Sequence, residues 1–390
     1  MSEVKTKVPQ LRFPGFSDEW EEKKLGNISK LTSSKRVYLD DYVQSGIPFY
    51  RGKEISELQK GLTPKDILYI SNESYEQYKS KYGIPQVDDI LITAVGTLGN
   101  ILRIKDRKPF YFKDGNLIWI KDIYEYSNFL EILLEVKNKE IQKTSIGSTQ
   151  RALTMVELRK LLLPFPAKQE QQKIAAFLTA VDTKIEQLST KQVLLGEYKK
   201  GLMQQIFSQA IRFKADDGCD FPDWKEKKLG SLCEITTGKL DANAMVKDGQ
   251  YRFYTCAKEY YKIDDYAFDT DALIVSGNGA NVGYIHHYQG KFNAYQRTYV
   301  LDSFTDNIVF VKFVLDGYLH KRIMKEKNEG NTPYIVMGTL TDMKINLPSF
   351  SEQTKISNFL SSIDSKIEQV SKQLDESKQF KKALLQQMFV

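Results

Sequence analysis

The feature that most constrains this chain is that it repeats itself, faithfully at the ends of the repeat and loosely in the middle. Phe13-Pro14, Trp20 and Lys23-Lys24-Leu25-Gly26 return as Phe221-Pro222, Trp224 and Lys227-Lys228-Leu229-Gly230, with an offset of 204 residues from the tryptophan onward. Glu170-Gln171-Gln172-Lys173-Ile174 returns as Glu352-Gln353-Thr354-Lys355-Ile356 at an offset of 182, and the match runs on to Gln204-Gln205-Ile206-Phe207 against Gln386-Gln387-Met388-Phe389. The stretches between, roughly 33–150 and 237–332, have diverged and changed length. A duplication of this size makes each copy one structural unit and must be weighed before any motif. Ends kept alike imply two interfaces built the same way; middles that differ imply two surfaces that recognise different things.

The faithful ends have the period of a helix. Apolar residues fall at Ile174, Leu178, Val181, Ile185, Leu188, Leu195, Leu202 and Ile206, alternately four and three apart, with Gln192 and Lys199 in the gaps. The second copy has Ile356, Leu360, Ile363, Ile367, Val370, Leu374, Leu384 and Met388, with Ser377 and Lys381 in its gaps. Such heptad seams pack helix on helix, and each opens after a proline, Pro166 or Pro348, that fixes its start. Some 37 residues at about 1.5 Å each make a rod of roughly 55 Å, a spacer rather than a core element. The first five seam residues of each copy, Ile174 to Leu188 and Ile356 to Val370, are predicted to form the packed face. If the rods pair antiparallel, an approximate two-fold axis relates the two middles.

Each middle reads as a mixed domain. Asp89-Ile90-Leu91-Ile92-Thr93 and Asp271-Ala272-Leu273-Ile274-Val275 are short buried strands followed by glycine-rich turns, Gly96 to Asn100 and Gly277 to Gly283. Residues 116–120 and 297–301 suggest further strands, and 127–142 and 307–327 suggest helices. The predicted class is therefore α+β: two mixed α/β domains related by a pseudo-two-fold and separated by two long helices forming an antiparallel coiled coil. The expected boundaries are 1–165 for the first domain, 166–210 for a central spacer helix, 211–348 for the second domain and 349–390 for a C-terminal spacer helix.

Composition excludes several functions. No run of about 18 apolar residues occurs, and Met1-Ser2-Glu3-Val4-Lys5 has no apolar stretch of signal type, so a cytoplasmic protein with no membrane partner is expected. Cys219, Cys233 and Cys256 are odd in number and lack pair spacing, which rules out a disulfide framework. His286, His287 and His320 have no ligand-spaced cysteine or carboxylate, so no metal site is expected. Gly277, Gly279 and Gly283 are one residue off the dinucleotide spacing and read as a strand turn. Neither a phosphate-binding loop nor a nucleophile elbow is present. Pro222-Asp223 with Glu226 and Lys228 imitates a nuclease arrangement, but two intervening residues are too few for both acids to converge on one metal. No catalytic residue is assigned. The charge excess, 56 basic against 50 acidic residues, is compatible with a polyanionic partner without requiring one.

What remains is recognition. The diverged loops are rich in side chains that bond phosphates or base edges: Ser34, Lys35 and Arg36; Arg51 and Lys53; Thr97; and Ser148, Thr149, Gln150 and Arg151. The second copy offers Lys239, Lys258, Asn278, Asn281, Gln296, Arg297, Asn331 and Thr332 at corresponding places. Arginine and lysine can pair with guanine, and asparagine and glutamine with adenine, through two hydrogen bonds in the major groove.

Over essentially its whole length the pattern resembles the specificity subunit of type I restriction-modification systems. The most specific shared elements are the duplicated Pro-x-x-x-Glu-Gln-x-x-Ile entries, Pro166 with Glu170, Gln171 and Ile174 and Pro348 with Glu352, Gln353 and Ile356. The segment Asp89 to Asn100 is also similar to the family's; in the second copy it departs, with two extra residues before Gly283, and Pro333 stands where Gln150 does. The resemblance implies a non-catalytic DNA-binding subunit with two target recognition domains, each reading half of an asymmetric bipartite site. The paired helices would set the unread gap. Two modification subunits that methylate adenine with S-adenosylmethionine, and restriction subunits that translocate and cleave DNA with ATP and Mg, would be its partners and carry those cofactors. The alternative is a stand-alone nuclease or methyltransferase with its own active site.

Overall fold

A computed structural model describes residues 8–147, 151–326 and 333–390. It divides into two compact units, the first comprising Met1–Gln187 with Leu374–Val390 and the second Leu188–Gln373. Two long helices, Lys168–Phe207 and Phe350–Met388, are each shared between the units.

In unit 1 the central sheet has four strands in the order Lys30–Thr32, Leu117–Lys121, Ile90–Thr93, Ile101–Arg103, all antiparallel to their neighbours. Both faces of Ile90–Thr93 are covered and every residue in it is buried, which explains its unbroken apolar run. A second four-stranded sheet, Tyr42–Val43, Leu68–Ile70, Ile47–Tyr50 and Tyr111–Phe112, ends in a parallel pair. The helix Ser127–Val136 contributes Phe129, Leu130, Leu133 and Leu134 to the core. There they meet Ile174, Ala175 and Leu178 from the start of the first long helix and Leu384, Met388 and Phe389 from the end of the second.

Unit 2 builds the same junction from the opposite ends. The helix Ile308–Glu326 brings Phe310, Val311, Val314 and Leu315 against Ile206 and Phe207 from the end of the first long helix and Ile356, Leu360 and Ile363 from the start of the second. Burial of each such side chain contributes on the order of 1.5–3 kcal/mol. Here the diverged region is one six-stranded sheet in the order Glu234–Thr237, Thr298–Asp302, Phe268–Ser276, Ile285–Ala294, Tyr251–Tyr254, Tyr261–Ile263.

The repeat is kept in register as well as in outline. A two-stranded ribbon closes each domain: Glu21–Lys24 with Leu162–Phe165 in unit 1, and Lys225–Lys228 with Lys344–Leu347 in unit 2. Glu21 faces Phe165 and Lys225 faces Leu347, so both sequence offsets hold within one pairing. Ladder pairing of this kind places the long helices at the same exit from each domain.

The helices pack as the heptads require. Ile174, Leu178, Leu188, Ile356, Leu360, Ile363 and Val370 are buried, while Val181, Ile185 and Ile367 are half-buried. In unit 1, Lys381 Nζ lies 2.6 Å from Asp182 Oδ1; in unit 2, Lys199 Nζ lies 2.6 Å from Asp364 Oδ1. Leu384 and Met388 meet Ile174 and Leu178 beyond the first pair, and Ile206 and Phe207 meet Ile356 and Leu360 beyond the second. In both units the two helix segments therefore run antiparallel, and the two ion pairs are images of each other under the 182-residue offset. The lysines are the seam gaps of the heptad pattern: each extends its stem over the seam and places its ammonium on an acid at the flank.

Candidate nucleic-acid interface

In each unit the diverged loops are drawn together by backbone hydrogen bonds that start from the end of the buried strand. In unit 1 the Gly99 N–H donates to Thr93 O at 2.9 Å, the Ala94 N–H to Asn116 O at 2.7 Å and the Leu153 N–H to Ala94 O at 2.9 Å. In unit 2 the matching bonds run from the Gly283 N–H to Ser276 O at 2.8 Å, the Gly277 N–H to Arg297 O at 2.9 Å and the Ile335 N–H to Gly277 O at 2.8 Å. One framework thus carries both rims. Gly99 and Gly283 close the turns with φ of +81° and +80°, and a Cβ there would sit 2.6 Å from Asn138 Oδ1 and 2.8 Å from the Ile323 side chain, so both positions need glycine. The framework also corrects the spacing expected from sequence. Residues 94–98 fill the first turn and 277–282 the second, so the second copy has one extra residue before Gly283 rather than two.

Around this framework the unit 1 candidates fall into neighbouring loops. Ser34 Oγ donates to Phe112 O at 2.6 Å and the Lys35 N–H donates to the Tyr111 hydroxyl at 2.9 Å. Burial pushes the Tyr111 phenol up to about 12, which keeps its oxygen a neutral acceptor. Arg36 Nε donates to Asp114 Oδ2 at 3.1 Å, while 65% of the Arg36 side chain stays exposed. The Lys113 N–H bonds Tyr50 O at 2.9 Å, which brings the Arg51 segment alongside.

That segment is not the loop its sequence suggests. Residues Gly52–Gln59 form a helix, and Arg51 is its cap: the Arg51 N–H and Nε both donate to Glu54 Oε2, at 2.7 and 3.2 Å, and Nη2 donates to Glu54 Oε1 at 2.5 Å. Burial pushes the Glu54 carboxyl upward, but these bonds outweigh it and hold the group below the usual carboxylate range. Lys53 Nζ is 3.4 Å from Asp66 Oδ2. Thr97 lies in the glycine turn and its carbonyl accepts from Thr93 Oγ1. Arg151 Nη2 donates to Gln142 O at 3.2 Å. Ser148, Thr149 and Gln150, like Asn331 and Thr332 of the second copy, lie outside the described residues.

In unit 2 the rim is freer. Lys239, Lys258 and Arg297 are exposed and their side chains have no partner among the described residues. Asn281 Nδ2 donates to Cys256 O at 3.1 Å, and Asn278 bridges Tyr334 through its backbone in the way Val95 bridges Ala152 in unit 1. Asp114 and Asp241 belong to the rim but escape a search for cationic and amide side chains, whereas Gln296 is legible beside Arg297. Gln296 Nε2 donates to Asp241 Oδ1 at 2.7 Å, tying the Lys239 loop to the Arg297 turn. Only the repeat itself could have pointed to the two aspartates, because each one's partner lies some tens of positions away in sequence. Among the described residues no group of three or more His, Cys, Asp and Glu side chains is placed to hold a metal ion, and no helix is long and apolar enough to cross a membrane.

Two rims on one framework, both displaying cations and the second amide side chains as well, each attached to an antiparallel helix pair, define a duplicated recognition protein. The family model for the type I restriction modification DNA specificity domain matches residues 17–195 and again 222–377, so the chain belongs to that family. The EcoDI type I restriction enzyme specificity subunit of Escherichia coli is 43% identical to it over 168 residues, 42% of this chain and 37% of that protein. The chain thus spans well under half the length of this curated relative. A crystal structure of the type I restriction-modification S subunit from M. genitalium has the same fold, with a TM-score of 0.68 at 16% identity, covering 98% of this chain and 99% of that one. A chain from a structural study of complex assembly and conformational transition in the type I system aligns with a TM-score of 0.54 at 16% identity, covering 96% and 98%.

Proposed function

We propose that this chain is the sequence-reading subunit of a type I restriction-modification complex and recognises a bipartite, asymmetric DNA site, one half through each unit. The observation that carries this reading is the pair of rims: the same backbone bonds hold both, while the side chains mounted on them differ. A shared scaffold with changed side chains is what two different half-sites demand. Exposed Lys239, Lys258 and Arg297 would grip phosphates and give salt-dependent affinity, and side chains held by neighbours would read bases. The long helices, 40 and 39 residues, would set the unread gap between half-sites, since a helix of that length extends about 60 Å and one DNA turn about 34 Å.

On this reading the chain works in the cytoplasm and catalyses nothing itself. Two modification subunits would supply adenine methylation with S-adenosylmethionine, and restriction subunits would supply ATP- and Mg-dependent translocation and cleavage. The purified full-length chain should bind duplex DNA at low salt without cutting or methylating it, and modification should appear only when a modification subunit is added. Methylation or cleavage by the chain alone would establish the rival, a stand-alone methyltransferase or nuclease. Absence of any DNA binding would leave a scaffold with no nucleic-acid role.

A further inference from the structure

The two rims share a device. In unit 1 a loop of residues 33–36 is tied to the turn at 113–116 by Arg36 Nε on Asp114 Oδ2 at 3.1 Å. In unit 2 the loop at 239–241 is tied to the turn at 295–297 by Gln296 Nε2 on Asp241 Oδ1 at 2.7 Å. These are corresponding segments: Ser33 and Thr237 are related by the 204-residue offset, and Asn116 and Arg297 occupy the same place on the backbone framework. The acid sits on the turn in one unit and on the loop in the other, so the tie survives while its two ends have exchanged roles.

Each tie leaves a definite face unused. Arg36 spends its Nε on Asp114 and keeps Nη1 and Nη2, a planar pair of donors, without a partner among the described residues; Asp114 itself is largely covered, with 19% of its side chain exposed. Two parallel donors are what the O6 and N7 acceptors of guanine take. Gln296 spends one Nε2 hydrogen on Asp241 and keeps Oε1 and a second N–H. An acceptor beside a donor is what the N6 and N7 edge of adenine takes. A reader clamped by a neighbouring acid is already oriented before DNA arrives, and loses little side-chain freedom on binding.

We infer that Arg36 reads a guanine in the half-site of unit 1 and Gln296 an adenine in the half-site of unit 2, with Asp114 and Asp241 acting as positioning residues. This rests on the DNA-reading function proposed above. The test is selection of duplexes from a randomised pool by the full-length chain and its variants. The wild type should enrich a two-part motif with an invariant G·C pair in one half and an invariant A·T pair in the other. Arg36→Lys keeps the charge and removes the fork; it should cut discrimination at that one G·C position about tenfold, leaving the other positions and the salt dependence unchanged. Asp114→Asn should weaken the same position to a lesser degree, and Gln296→Leu should relax only the A·T position. Uniform weakening across all sequences, or a motif unaltered by Arg36→Lys and Gln296→Leu, would overturn the assignment while leaving the DNA-reading function intact. A wild-type chain that enriches no sequence would overturn both.

Discussion

At the scale of single residues, the duplicated Glu-Gln pair at the head of each long helix fastens three segments to one point. Glu170 takes a two-bonded fork from Arg12, with Nε–Oε1 at 2.7 Å and Nη2–Oε2 at 2.8 Å. Glu352 takes Arg212 Nη2 at 2.8 Å and the Trp224 indole N–H at 3.2 Å, and neither glutamate is accessible to solvent. The adjacent Gln171 and Gln353 donate to Pro166 O and Pro348 O and accept from the backbone N–H of Tyr126 and Asn307, at the entry to each domain helix. Arg212→Leu leaves the buried Glu352 with the Trp224 N–H alone and should cost about 1–3 kcal/mol, read as a lowered urea midpoint by tryptophan fluorescence. A loss below about 1 kcal/mol would show that the fork is dispensable. The motif was legible in the sequence but its partners were not. Leu11-Arg12-Phe13 and Ile211-Arg212-Phe213 correspond at an offset of 200 against 204 for the tryptophans, so Phe13 answers to Phe213 rather than to Phe221, as the matching ring contacts Phe13–Phe177 and Phe213–Phe359 show. Four extra residues between Phe213 and Trp224 hide that match from an alignment anchored on the tryptophans. Glu135 offers a second test. Burial first, and then repulsion from Glu131, holds its carboxyl above the usual range. A carboxyl raised on folding supports the fold below its ordinary pKa near 4.3 and loses that support as pH climbs through the raised value. Glu135→Gln should therefore raise the thermal midpoint at pH 7 and give no gain at pH 4; an equal shift at both would remove the charge from the explanation.

At the scale of elements, the helices were readable because their constraint is periodic and local. Seven residues fix a seam, and Pro166 and Pro348 fix its start. The seam lysines have a role that periodicity cannot assign. Lys199 and Lys381 each bridge to the opposing helix segment of their own unit, onto Asp364 and Asp182, whose side chains are 44% and 47% exposed. Pairs this open are weak, and a double-mutant cycle on Lys199→Ala and Asp364→Ala should return a coupling of about 0.2–1 kcal/mol. A coupling indistinguishable from zero would mean that the Lys199 ammonium acts through the Phe313 ring, whose centroid lies 4.8 Å from Nζ, rather than through the aspartate. The diverged sheets were less legible. Ile285–Ala294 is a ten-residue strand whose sequence, Ile-His-His-Tyr-Gln-Gly-Lys-Phe-Asn-Ala, lacks a clean apolar alternation because it buries Asn293 and Ala294 and leaves its middle half-open. Its strand character comes from pairing with Phe268–Ser276 over eight positions, a long-range constraint that no local window contains. The Arg51 segment failed for the opposite reason, since the cap that makes it helical is local but reads as a cationic loop.

At the scale of the whole molecule, the sequence displays a duplication and the structure shows what has been duplicated: a rim, a ribbon, a domain helix and an anchored stretch of each long helix. The buried contacts of the anchoring recur between the units, from Ile174 and Ile356 to Phe207 and Phe389. The side chains mounted on the two rims differ, among them Arg36 and Asp114 in one and Lys239, Asp241 and Gln296 in the other. That division is the physical basis for treating recognition and spacing as separable properties, and it can be tested as such. The most direct measurement is the motif modified by the assembled complex after one heptad is deleted from each long helix, residues 189–195 and 371–377. Seven residues remove about 10 Å of helix, so the gap between half-sites should shorten by about three base pairs while both half-site sequences stay as they were. An unchanged gap, or altered half-sites, would contradict the claim that the helices measure and the rims read.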